Sequence, residues 1–317
     1  MRKTISVCIP VYNEEHNIGR AVAAVEALFA EKLAGYDLEL VITDNASTDS
    51  TWQVVGELAR NRPRLKAFRF SRNFGYQNSI FAGLSLASGD AIVELDADLE
   101  DPPGTIARFV EKWEQGFQVV FGVRSKRHGS RVMRALTHVF YRLLNYVSEH
   151  RIPEDSGDFR LLDRRVVSAL IALPERNLYL RGLVSYLGFR QTPVVYERDP
   201  RASGASKFRF FQYVVLALDA ITAFSKAPLR LISVFGVVLF ISSIALAGYY
   251  LVLYLRGGIP VPGFTTLAIL TLALHGVTFI FLGVMGEYMS RIFDDAKHRP
   301  RVVIAESINA GEHPDSL

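Results

Sequence analysis

Ala91-Ile-Val-Glu94-Leu-Asp96-Ala-Asp98-Leu-Glu100-Asp-Pro-Pro103 passes within one short stretch from an apolar run to an acidic cluster to a helix start. Ala91–Leu95 has the make-up of a buried strand. Asp101 stands where an N-cap belongs, and Pro102 and Pro103 suit a first helical turn, where their missing N–H groups would have no partner. Between strand and helix, alternate carboxylates fall at Glu94, Asp96, Asp98 and Glu100. Carboxylates so spaced can converge on one hard divalent cation, which takes oxygen ligands and keeps waters or phosphates in its remaining positions. An acidic triplet alone is a weak signal, because most such residues shape turns or cap helices. Asp96 and Asp98 gain their weight from the surrounding pattern.

Upstream of this stretch the chain alternates strand and helix. Ile5–Val11 is a continuous apolar run, as a strand covered on both faces would be. Residues 15–34 follow at helical spacing, then a strand at Leu38–Thr43, a helix near 50–61, a strand near 65–70 and a helix near 77–87. This alternation predicts an α/β domain with a mainly parallel sheet, whose ligands bind beyond the carboxyl ends of the strands. The polar clusters fall there: Tyr12-Asn13-Glu14, Asp44-Asn45, Ser71-Arg72-Asn73 and Asp96-Ala97-Asp98. Four strand ends are therefore expected to face one polar site. Neither a G-x-G-x-x-G nor a P-loop sequence is present, which removes the support for dinucleotide binding or ATP hydrolysis by those routes.

Downstream the composition changes. Half of the 317 residues are hydrophobic and only 21% are charged, too apolar for an ordinary soluble enzyme unless the excess is local. It is local: residues 231–255 contain no ionisable side chain except tyrosine, and 264–286 contain only His275. At about 1.5 Å per residue the first run reaches roughly 37 Å, enough to cross a hydrocarbon core of about 30 Å. The turn Arg256-Gly-Gly-Ile-Pro-Val-Pro-Gly263 joins the two into an expected transmembrane hairpin. Lys226 and Arg230 precede it, Arg291, Lys297, Arg299 and Arg301 follow it, and the turn offers only Arg256, so both termini are expected in the cytoplasm of a multi-pass inner-membrane protein. Residues 208–230 read equally as an amphipathic helix at the interface or as a soluble helix packed on the main domain. His275 is expected as a neutral imidazole bonded to a neighbouring helix. The expected organisation is a catalytic domain over 1–207, an interfacial region over 208–230, the hairpin over 231–286, and a cytoplasmic juxtamembrane tail over 287–317. A net charge of +4 is too small for a nucleic-acid binder, one cysteine (Cys8) excludes an internal disulfide framework, and the start of the chain predicts no secretory leader.

Pro10-Val-Tyr-Asn-Glu14, Asp44-Asn-Ala-Ser-Thr-Asp49, Ser71-Arg-Asn-Phe-Gly75, Asp96-Ala-Asp98-Leu-Glu-Asp-Pro-Pro103, Ser156-Gly-Asp-Phe-Arg160 and Arg201-Ala-Ser-Gly-Ala-Ser-Lys207 resemble, in that order, the motifs of family 2 glycosyltransferases of GT-A (Rossmann-like) fold. With the apolar hairpin, the chain looks like the polyisoprenyl-phosphate branch, which includes the bactoprenol glucosyltransferases and, more distantly, dolichyl-phosphate mannose synthase. The resemblance implies an inverting transfer of a sugar from a nucleotide donor to polyprenyl (undecaprenyl) phosphate, with UDP-glucose the first expectation. Aminoarabinose, an amino sugar or GDP-mannose are alternative donors, and a non-catalytic nucleotide-sugar binding protein is the alternative from another class. It further implies that Pro10, Tyr12, Asn13, Glu14, Asp44, Asn73 and Asp96 bind the donor, and that Asp96, Asp98 and Glu100 hold Mg²⁺ or Mn²⁺. Glu100 replaces the Gln of many relatives, so it either tightens metal binding or faces water. Asp44-Asn45-Ala46-Ser47 departs from the Asp-Asp-Gly-Ser of many relatives. Asp158 matches the proposed catalytic base, although an acceptor phosphate that is already dianionic leaves a base little to do, and the residue then orients the acceptor or steadies positive charge on the sugar. Arg124, Arg201, Ser206 and Lys207 match positions that grip the acceptor phosphate. Assembly as a homo-oligomer, a tetramer in relatives, is implied by the same likeness.

Overall fold

The computed structural model describes residues 2–125, 156–175, 178–197, 227–256, 263–311 and 314–317. The chain divides into two units, one holding the sheet, its helices and the residues from His298 onward, the other holding two long helices.

In the first unit β1 (Thr4–Val11), α1 (Ile18–Lys32), β2 (Asp37–Asp44), α2 (Thr51–Arg60), β3 (Leu65–Phe70), α3 (Tyr76–Leu86), β4 (Ala91–Glu94), α4 (Thr105–Glu114) and β5 (Val119–Arg124) follow in chain order. After them come β6 (Ser156–Asp163), α5 (Arg164–Ile171), α6 (Leu180–Tyr186) and β7 (Gln191–Tyr196). The eighth strand, β8 (Ile304–Ile308), arrives only after the long helices, and the sheet order is β7-β5-β6-β4-β1-β2-β3-β8. Its centre, β3-β2-β1-β4, is parallel as the alternation predicts. Its flanks are mixed: β6 runs antiparallel to both β4 and β5, and β8 runs antiparallel to β3. The α/β class of the sequence reading holds, with a mixed sheet in place of a mainly parallel one.

Both faces of β1 are covered, which is why it reads as a continuous apolar run. Ile5, Val7, Ile9 and Val11 join the main core with Val22 and Val25 of α1, Val55 of α2 and Phe109 of α4. On the other face Cys8 meets α3 so closely that a Cβ at Gly83 would lie 3.2 Å from the Cys8 Cβ, which explains a glycine inside a helix. Burying these side chains recovers about 25 cal/mol per Å² of apolar surface.

One expectation is corrected here. Asp101 does not cap α4: the cap position is Gly104, and the Pro102 and Pro103 carbonyls accept from the N–H groups of Thr105 and Ile106 at 3.0 and 2.9 Å. The residues after the long helices, expected as a juxtamembrane tail, pair with the sheet. Residues Ile304–Ile308 form the β8 edge, Arg301 donates to the carbonyls of Leu173 (3.0 Å) and Glu175 (2.6 Å), and Asn309 donates to those of Ala59, Arg62 and Leu65 at 3.0–3.1 Å.

The second unit consists of α7 (Ala227–Leu255) and α8 (Phe264–Ala296), with Phe235 packed edge-on against Phe281 at 5.8 Å between ring centres. Counted over the described residues alone, no helix is long and apolar enough to cross a membrane. Large apolar side chains on both helices nevertheless lie open, among them Phe240 (66%), Phe279 (70%) and Ile280 (66%). Ser242 and Thr278 each spend their hydroxyl on the carbonyl four residues back, at 2.8 Å. His275 does the same with the Thr271 carbonyl at 2.8 Å, so its partner belongs to its own helix rather than to a neighbouring one. Most of the 208–230 region, together with Arg201, Ser206 and Lys207, lies outside the described residues.

Candidate active site at the carboxyl edge of the sheet

The register of β1 sets Val11 beside Asp44 and Cys8 beside Glu94, so the residues leaving β1, β2 and β4 emerge next to one another. They border a cavity of about 310 Å³. Of the residues expected to bind the donor or a metal, Pro10, Tyr12, Glu14, Asn73, Asp96 and Asp98 line it. Asn45, already placed in the polar cluster after the second strand, lines it too, as do Tyr76 and Ser79, to which sequence reasoning had given no role.

Asp44 and Asn13 stand behind this wall and build it. Asp44 is fully buried, and its Oδ1 accepts from both the N–H (3.0 Å) and the hydroxyl of Ser47. The Ser47 hydroxyl oxygen in turn accepts from the Asn13 N–H at 3.0 Å, and Asn13 Oδ1 accepts from the Thr48 N–H at 2.8 Å. The two turns are thereby tied together across the strand ends. Asn13 and Ala46 both adopt left-handed backbone, at φ +57° and +59°. Asn tolerates this, whereas Ala46 carries strain at the position where many relatives have glycine. Asn45 donates to Asn73 Oδ1 at 3.0 Å and accepts from the Phe74 N–H at 2.8 Å, which fixes the turn after β3 against the turn after β2. The Asp44 carboxyl is pushed up by burial, against the pull of Ser47 and of Arg69. Among the described residues its Oδ2 has no hydrogen-bond partner, and the Arg69 Nε lies 3.4 Å away.

The acidic end has a different character. The Tyr76 hydroxyl donates to Asp96 Oδ1 at 2.7 Å. Burial nevertheless pushes the Asp96 carboxyl up to about 6, and the charges of Asp98, Asp101 and Asp158 add to the effect. Asp98 is exposed, with its Oδ1 accepting from the Glu100 N–H at 3.1 Å, while Glu100 itself is buried. Among the described residues no three His, Cys, Asp or Glu side chains stand close enough to hold a metal ion as a set. Asp96, Asp98 and Glu100 therefore do not form a closed cage. The donor set still fits a hard divalent cation of the kind that takes one or two carboxylates and fills its shell with substrate phosphates. A bound cation would relieve the repulsion that raises Asp96.

Asp158 reaches the site from β6. The β4–β6 register pairs Glu94 with Arg160, which carries Asp158 toward the level of Asp96. Arg181 of α6 grips Asp158 through two bonds, Nε to Oδ1 and Nη2 to Oδ2, both 2.7 Å, and the Arg160 Nη2 stands 3.3 Å from Oδ1. Burial works against ionisation, yet these arginines hold the Asp158 carboxyl below the usual carboxylate range. A carboxylate so gripped carries negative charge but is a weak base. Glu94, one strand over, is wholly buried; burial first, and Asp158 next, push its carboxyl up. Arg181 follows no motif in the sequence, and only the fold brings it to Asp158.

Arg124 ends β5 beside this group. Its Nε lies 3.4 Å from the Tyr196 hydroxyl, which donates to Asp101 Oδ1 at 2.6 Å, and its Nη2 lies 3.7 Å from Asp101 Oδ2. The Tyr196 ring fits only because residue 122 is glycine: a Cβ there would fall 2.6 Å from the ring. Asp101, read from sequence as a helix cap, instead holds this tyrosine and arginine in place.

The family model of glycosyl transferase family 2 matches residues 6–171. Along almost its whole length the chain is similar to a protein named "Uncharacterized glycosyltransferase YkcC" from Bacillus subtilis, 40% identical over 95% of this chain and 93% of that one. It is equally similar to the "Bactoprenol glucosyl transferase" of Shigella phage SfV, 40% identical over 95% of this chain and 97% of that one. Among solved structures, glucosyl-3-phosphoglycerate synthase from Mycobacterium tuberculosis in complex with UDP covers 69% of this chain and 78% of its own, at a TM-score of 0.47 and 19% identity.

Proposed function

The chain belongs to glycosyl transferase family 2, and from that premise we propose that it moves a hexosyl group, glucose from UDP-glucose in the first instance, onto polyprenyl phosphate at a membrane surface. The observation that carries the acceptor class is the extent of the likeness to the phage bactoprenol glucosyl transferase. With 95% of this chain and 97% of the relative aligned, the apolar helices cannot fall outside the match. A lipid acceptor also gives the long apolar surface of α7 and α8 a purpose. Leu231–Leu255 contains no Asp, Glu, Lys or Arg, and the Ser242 and Thr278 hydroxyls and the His275 imidazole bond within their own helix, as a hydrocarbon surrounding favours. In this reading the two helices cross the inner membrane, with both feet on the cytoplasmic side.

The chemistry follows from the site. Tyr12, Glu14, Asn45 and Asn73 shape the part of the cavity that takes the nucleoside, and Asp44 offers a buried carboxylate behind it. Asp96 and Asp98 would hold Mg²⁺ or Mn²⁺, which would supply neutralisation of the charge developing on the departing diphosphate. Asp96 also meets the donor ribose, oriented by the Tyr76 hydroxyl. Arg124, steadied by Tyr196 and Asp101, draws the acceptor phosphate toward the sugar. With a second pKa near 6, that phosphate is mostly dianionic at neutral pH and attacks the anomeric carbon without surrendering a proton. A phosphate oxygen to carbon bond forms, the bond to the nucleoside diphosphate breaks, and the configuration inverts. Asp158, held ionised by Arg181, faces the sugar as a fixed negative charge that favours the positive character of the anomeric carbon.

The test uses the full chain in detergent with undecaprenyl phosphate, Mg²⁺ and a panel of labelled nucleotide sugars. EDTA-sensitive label in the organic phase from UDP-glucose supports the reading, and label from another donor corrects the sugar alone. Label that never leaves the aqueous phase, with nucleotide still bound, would refute transfer to a lipid.

A further inference from the structure

We propose that Glu306, on the strand that follows the long helices, is a positioning residue for the nucleotide end of the active site and acts through Arg69. This rests on the reading of the cavity as a nucleotide site. The β3–β8 register places Arg69 directly opposite Glu306. The Arg69 Nη1 meets Glu306 Oε1 at 3.1 Å, while the Trp52 indole N–H donates to the other carboxylate oxygen at 3.0 Å. Both oxygens of Glu306 are thus fixed, one by the arginine and one by the indole, and the Trp52 ring lies 5.9 Å beneath the guanidinium.

The rest of the arginine faces the turn after β2. Its Nη2 donates to the Ser47 carbonyl at 3.2 Å, and its Nε stands 3.4 Å from the buried Asp44 Oδ2. Ser47 is the residue that ties Asp44 to Asn13, and Asn45 between them lines the cavity. One planar fork therefore supports the whole turn, and Glu306 decides where the fork points. Arg69 retains 30% of its side-chain exposure and Glu306 55%, so the pair contributes little to global stability. Its effect lies in geometry: without Glu306 the guanidinium is free to swing to solvent, and Asp44 and Ser47 lose the group that holds them.

The test compares Glu306→Ala and Glu306→Gln with the wild type in the full-length protein in detergent, using UDP and GDP as probes in calorimetry and the donor in steady-state kinetics. Asn309→Ala is the control, because it cuts the strand's clamp on α2 without touching Arg69. Glu306→Ala is expected to raise the nucleotide Kd and the donor KM about threefold to fivefold, the size of one partly exposed ion pair, with kcat unchanged. Glu306→Gln, whose single carbonyl oxygen can accept from the arginine or from the indole but not from both, falls between. The gap to wild type narrows between about 0.05 M and about 0.5 M salt, as screening of an ion pair requires. Asn309→Ala lowers the Tm and leaves the Kd in place. An unchanged Kd in Glu306→Ala, or an equal rise in Asn309→Ala, overturns the inference while the nucleotide site stands. Failure of the wild type to bind either nucleotide overturns that site and the inference with it.

Discussion

Removing one hydroxyl, Tyr76→Phe, separates the two influences that set the charge of Asp96. Burial and the neighbouring carboxylates push that carboxyl up to about 6, while the Tyr76 hydroxyl, donating at 2.7 Å to Oδ1, favours the ionised form and pulls it down. A hydrogen bond to a charged group contributes about 1.5–3 kcal/mol, and one pH unit of titration midpoint corresponds to 1.36 kcal/mol. Tyr76 is 42% exposed, so the lower end applies and the midpoint should rise by about one pH unit, from about 6 to about 7. The assay is kcat/KM for the donor against pH, with the divalent ion held well below saturation so that the free enzyme is read. An acid limb centred near 6 in the wild type should move upward in Tyr76→Phe, with the alkaline plateau preserved. A limb that stays in place, or moves down, would refute the role given to the hydroxyl. A limb that never appears would refute the assignment of Asp96 as a group that must be ionised to work.

The same group predicts a trade of activity for stability. Because the folded Asp96 carboxyl sits above its unfolded value near 4, the fold binds the proton more tightly, and stability falls as pH rises from about 4 through about 6. Asp96→Asn should therefore stabilise the metal-free, nucleotide-free protein at pH 7.5 by about 2 kcal/mol after allowing for solvent, read as a higher melting temperature, while abolishing transfer; equal melting of the two proteins at pH 7.5 would show that Asp96 is not held against the fold. Asp158→Asn should cut kcat without moving the acid limb, since a carboxyl kept low by Arg181 does not titrate in that range. Disappearance of the limb in that variant would restore Asp158 as the base.

What could be read from the sequence, and what could not, follows the range of the interactions. The strands β1 to β4 announce themselves because both faces are covered, and the turns that follow them carry the polar residues that line the cavity. Three strands do not announce themselves. Ser156–Asp163 carries Asp158 and Arg160 within the strand, Gln191–Tyr196 contains Pro193, and Ile304–Ile308 exposes its three middle residues. Each becomes a strand by pairing with a distant partner, which local periodicity does not report. The site divides in the same way. Asp96, Asp98, Tyr12 and Asn73 are legible because they lie at strand ends, whereas Arg181, Tyr76 and the Arg69–Glu306 pair act across folded distances. Asp101 shows the opposite error: its sequence context fits a cap, and its actual partner, Tyr196, is ninety-five positions away.

The return of the chain to the sheet changes the use of one residue that charge counting had assigned to the membrane. Arg301, one of the basic residues that argued for cytoplasmic termini, is bound to the Leu173 and Glu175 carbonyls and stacks on Phe81, so it is a structural contact of the sheet unit. Strand β8 is hydrogen-bonded into the same sheet as β1 to β4, so after α8 the chain is committed again to the folded unit that holds the candidate site. A basic residue that charge counting assigns to a membrane flank is thus spent on the sheet unit, a use that its sequence neighbourhood does not report.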